Sequence, residues 1–90
     1  MSPYIPQAGR AFYDGYIQEI VGAWEDCTRS PEGDMAYIIT MILEPFWGGG
    51  KWSGKMDAIK VLEGVKLEIY DKIIRPHEKK ARKENGDVFK

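Results

Sequence analysis

One cysteine, Cys27, in 90 residues excludes an internal disulfide framework and fits a reducing cytosol. One histidine, His77, has no second imidazole or thiol at ligand spacing, so the chain offers no metal site and calls for no cofactor. Long apolar runs are missing as well. The longest, from Met35 to Leu43, contains Tyr37 and Thr40 and is far shorter than the roughly 20 residues of a membrane helix. The N-terminus lacks the basic-then-apolar pattern of a signal peptide, and the chain reads as a cytoplasmic protein with no membrane partner. A strong net charge is also lacking: the formal value of −1 argues against bulk nucleic-acid binding.

Catalytic pairings are equally scarce. Cys27 and His77 with a carboxylate could be written as a nucleophilic arrangement, but one residue of each kind is a weak pattern. Gly49-Gly50-Lys51-Trp52-Ser53-Gly54-Lys55-Met56 has the glycine and lysine spacing of a phosphate loop. Met56 stands where a Mg²⁺-holding hydroxyl is required, and the stretch follows a helical pattern rather than a strand. The expectation is a protein that is not an enzyme.

What the chain does have is helical spacing. The pattern predicts an all-α fold of three main helices, about 15–26, 31–47 and 53–84, the last bent near Pro76. They form a single domain, 1–90, with an extended arm at 1–6 and a short tail at 85–90. Asp14 has the position of an N-cap for the first helix. Ser30-Pro31 starts the second, because serine supplies an acceptor and proline at the first helical position has its φ preset. Pro45 removes one backbone bond near its end, Gly48-Gly49-Gly50 breaks the chain, and Asn85-Gly86 stops the third helix.

The third helix is the organising element. At about 100° per residue, Met56, Ile59, Leu62, Ile69, Ile73 and Ile74 spread over most of what the polar stripe of Asp57, Lys60, Gly64, Glu68, Asp71, Lys72 and Arg75 leaves, and ask for neighbours on more than one side. Glu63 and Lys66 break that apolar side, and Tyr70 lies four residues beyond Lys66. The spacing predicts a buried polar cluster of Glu63, Lys66 and Tyr70, since a buried charge persists when it is paired.

Two further features suggest binding. Trp47, Lys51, Trp52, Ser53 and Lys55 gather stacking faces, cations and a helix N-terminus, a combination suited to a small anionic nucleotide. The charge is also uneven. Residues 1–48 hold seven acids against Arg10 and Arg29, a net of −5, while residues 49–90 hold seven acids against eleven bases, a net of +4. These halves should attract, within one chain or between chains. With eleven aromatic residues in so short a chain, a homo-oligomer is expected, with Tyr4, Arg75, Arg82, Asp87 and Phe89 as partner-facing arm and tail positions.

Several of these stretches resemble a family of small proteins without an assigned activity, found in phages, prophages and other microbial genomes. The matching residues are Tyr4-Ile5-Pro6, Ala36-Tyr37-Ile38-Ile39-Thr40, the Leu-Glu-x-x-Lys-Leu-Glu-x-Tyr run from Leu62 to Tyr70, and the tail Glu84-Asn85-Gly86-Asp87-Val88-Phe89. The chain departs from that pattern at Ala36, where Asn is usual, at Gly64, where Cys is usual, and at His77-Glu78-Lys79, where Tyr-Glu-Asp is usual. The resemblance implies a small helical fold and carries no activity with it. The resulting expectation is a phage-encoded accessory protein in the host cytoplasm that binds a host protein or assembles with itself. The alternative is a sponge for a small anionic nucleotide at the tryptophan and lysine loop, and an enzyme stands well behind both.

Overall fold

The computed structural model describes residues 3–27 and 30–89, and every regular element in them is helical. In chain order these are α1 (Gln7–Glu25), α2 (Pro31–Leu43) with a 3₁₀ turn at Glu44–Phe46, α3 (Trp52–Ile69), a π-helical turn at Tyr70–Ile74, and α4 (Arg75–Asn85). Met1 and Ser2 of the arm, Thr28 and Arg29 of the first junction, and Lys90 of the tail lie outside the described residues. The chain divides into two units, one of Tyr4–Ala58 and one made chiefly of Ile59–Lys90.

The first helix begins at Gln7 rather than 15, and Asp14 is an interior residue, not a cap. Pro6, extended at φ −54° and ψ 147°, ends the arm, and the Arg10 amide donates to its carbonyl at 3.1 Å. The Arg10 guanidinium also donates through Nε to the Ile5 carbonyl at 2.8 Å, tying the arm to the first turn. Gln7 to Tyr13, which in the sequence reads as a short added turn of helix, is continuous with the rest of α1, and Phe12 and Tyr16, four residues apart, bring their rings to 6.3 Å across it.

In α2 the expected cap is present. Ser30 Oγ accepts from the Gly33 amide at 3.1 Å, and Glu32 and Asp34 stand in the positively polarised first turn. The helix closes at Leu43 rather than 47, because Pro45 has no amide hydrogen and its ring crowds the Met41 carbonyl four residues back. The Glu44 amide turns instead to Met41, three residues back, and the 3₁₀ turn follows.

The third helical stretch runs from Trp52 to Asn85, with a widened turn at Tyr70–Ile74 just before Pro76. The Arg75 amide bonds to the Tyr70 carbonyl, five residues back. Widening immediately before Pro76 carries the chain past the donor the proline lacks. Gly86, at φ 87°, closes α4, its amide donating to Arg82 at 2.9 Å.

Burial is slight. Among the described residues the buried apolar positions are Leu43, 7% exposed, and Ala58, 2% exposed. The apolar circumference of α3 does not find the neighbours that its pattern asks for: Ile59, Leu62, Leu67, Ile69 and Ile73 are all exposed.

Candidate functional site

The loop between α2 and α3 is built by hydrogen bonds that close on themselves. The amides of Trp47 and Gly48 both donate to the Glu44 carbonyl, at 3.0 and 2.9 Å, and the Gly50 amide donates to Trp47 at 2.9 Å. Gly50 takes a positive φ of 77°, which suits a residue without a β-carbon. Gly54, in the first turn of α3, passes so close to the Phe46 carbonyl that a β-carbon there would overlap it. Three loop amides are thus spent on the turn, and a carbonyl lies against the start of α3. Lys51, Trp52, Ser53 and Lys55 are exposed, Trp52 at 74%, whereas Trp47 is half-buried. The loop gathers cations and indoles at one place, but the Trp47, Gly48 and Gly50 amides are turned to acceptors within it.

The expected buried cluster is corrected. Glu63 and Lys66 do pair, at 3.7 Å, but their side chains are 55% and 70% exposed. Nothing desolvates them, because the apolar face around them is itself uncovered. Tyr70 does not cap the pair: its hydroxyl is 3.4 Å from Glu78 Oε1, and the Arg75 guanidinium lies 6.0 Å from its ring centroid. Arg75 also bonds Asp71 at 3.0 Å, so Tyr70, Asp71, Arg75 and Glu78 form an exposed network over the π turn.

Where α1 turns into α2 there is a cleft outside the sites expected from sequence. It has a volume of about 610 Å³ and is lined by Ala23, Trp24, Cys27, Ser30, Asp34, Tyr37 and Ile38. Trp24 Nε1 donates to the Pro31 carbonyl at 2.8 Å, and the Cys27 thiol donates to the Asp34 carboxylate. A seven-residue spacing across a Ser-Pro cap was the signal available, and it is faint. Trp24 and Cys27 here fasten the two helices together.

The largest feature is apolar. Along α1, Phe12, Tyr13, Tyr16, Ile17, Ile20 and Val21 are exposed, with Phe12 and Tyr13 edge to face at 5.2 Å. Tyr4 is exposed in the arm, and Val88 and Phe89 in the tail do not dock back on the helix. Asp87 accepts from the Phe89 amide at 2.9 Å and pairs with Arg82 at 3.6 Å, fixing the tail's first turn and leaving its ring outward. Single exposed apolar residues are ordinary on a protein surface, but contiguous ones mark contact with something else. No described helix is long and apolar enough to cross a membrane, and no three His, Cys, Asp or Glu side chains of the described residues group as a metal site.

The family model "Domain of unknown function (DUF6899)" matches residues 1–88, and the chain belongs to that family. No curated protein and no solved structure matches it.

Proposed function

We propose that this is a non-enzymatic accessory protein, a phage product acting in the host cytoplasm, whose work is protein association through the apolar faces of its helices. One observation carries the reading: Leu43 and Ala58 are the buried apolar residues among those described, while two dozen large apolar side chains stay exposed. Folded interiors ordinarily hide most such groups, and association is the general way to cover those left out. The nucleotide-sponge reading is the weaker of the two, because three amides of that loop, those of Trp47, Gly48 and Gly50, already bond within the turn.

A dye that fluoresces on apolar surfaces tests the association reading. At nanomolar concentration the chain should bind it strongly, and the signal should fall as concentration rises or a partner is added. A chain that binds no dye at any concentration and still unfolds cooperatively would hold its apolar groups inside its own fold, which contradicts the reading.

A further inference from the structure

We infer that the partner is a second copy of this chain, with the acid-flanked apolar stripe of α1 in one copy seated against the cationic face of α4, and the isoleucines preceding it, in the other. The inference rests on the association reading above and names its partner.

At about 100° per residue, Tyr13, Ile17 and Ile20 form one stripe along α1, with Tyr16 and Val21 beside it, and the stripe ends at Trp24, which fastens α1 to α2. Asp14 and Glu25 lie together along one margin, and Glu19 lies beyond the other. Residues 11–20 are exposed throughout. On α4, Arg75, Lys79, Arg82 and Lys83 fall within an arc of about 100°, and Lys80 adjoins it. Arg75 and Arg82 are held by Asp71 and Asp87, whereas Lys79, Lys80 and Lys83 have no ion pair among the described residues. Asp14, Glu19 and Glu25 have none there either. Ile69, Ile73 and Ile74, all exposed, give the cationic element an apolar lead-in.

These two faces complement each other and neither complements itself. Pairing α1 with α1 sets three acids against three, and pairing α4 with α4 sets lysines against lysines; like charges brought together at an interface are penalised. Pairing α1 with α4 satisfies both. Because each copy carries both faces, two copies can offer each face to its complement on the other. By sequence the unit Tyr4–Ala58 carries eight acids and four bases, and Ile59–Lys90 six acids and nine bases, so the same complementarity extends over whole units. A nucleic-acid role for α4 is the competing use of its lysines, and the chain's net charge of −1 opposes it.

Two full-length triple variants test this, one with Asp14→Lys, Glu19→Lys and Glu25→Lys, the other with Lys79→Glu, Lys80→Glu and Lys83→Glu. Self-association, read as mass by light scattering at low salt, should weaken about a hundredfold or more in each alone. An equimolar mixture should return to the wild-type mass, since both contacts between the two variants are again opposite in charge. Helical circular dichroism in each variant separates lost association from lost folding. If a variant does not fold, the wild type carries the test: raising salt from about 0.02 M to about 1 M should lower its mass, because the screening length contracts severalfold. Variants that associate like the wild type, a folded mixture that stays monomeric, or a salt-insensitive wild-type mass overturns the inference. So does nucleic-acid binding that the lysine variant loses while wild-type mass is retained. A monomeric wild type that still binds the apolar dye overturns the second-copy assignment alone, and one that binds no dye removes the association reading with it.

Discussion

The Phe46 carbonyl occupies the space that a β-carbon on Gly54 would need. This approach brings the first turn of α3 onto the 3₁₀ turn after α2, at the junction where Pro45 stops one helix and Trp52 begins the next.

Gly54→Ala should therefore strain the junction by about 1–3 kcal/mol, since the obstacle is backbone and cannot rotate aside. Gly49→Ala, five residues earlier, meets no atom within 4 Å and has no positive φ, so it should be neutral or slightly stabilising. Denaturant unfolding of the two variants gives the comparison, and equal stabilities would contradict the close approach.

Removal of the cap should be visible in the same assay. Ser30 Oγ is the acceptor for the Gly33 amide, so Ser30→Ala should destabilise α2 by about 1 kcal/mol. Trp24→Phe keeps the ring and removes the donor to Pro31, with a loss of about the same size. Thermal melting of both variants checks these values.

The Glu63 and Lys66 pair behaves differently from a buried one. With both side chains more than half exposed, Lys66→Ala should change stability by less than about 0.5 kcal/mol. A loss of several kcal/mol would mean that association buries the pair, and a repeat at dilution would then show the loss shrinking.

The loop makes a negative prediction. Titration with linear and cyclic nucleotides should leave tryptophan fluorescence and melting temperature unchanged, because the Trp47, Gly48 and Gly50 amides are already bonded within the chain. A saturable change that disappears in a Lys51→Ala and Lys55→Ala variant would restore the sponge reading.

Local chemistry was legible and burial was not. Ser30-Pro31 announces the start of α2, Asn85-Gly86 the end of α4, and the spacing of three brings Glu63 to Lys66, because each depends on neighbours a few residues apart. Asp14-Gly15 imitates a cap, whereas the helix starts at Gln7 behind the extended Pro6, with no side-chain cap. Pro76 announces an interruption, but the π form it takes over Tyr70–Ile74 depends on the whole preceding turn. The apolar periodicity of α3 says only that a face needs covering, not which chain covers it. For the same reason the Glu63 and Lys66 spacing could not tell a buried pair from an exposed one.

The most direct measurement is the mass of the wild-type chain in solution, by light scattering at low salt from about 1 to about 200 micromolar, with melting followed over the same range. The account predicts a multiple of 10.3 kDa at the upper end and a melting temperature that climbs with concentration. A mass of 10.3 kDa throughout, with a concentration-independent cooperative melt, would contradict it.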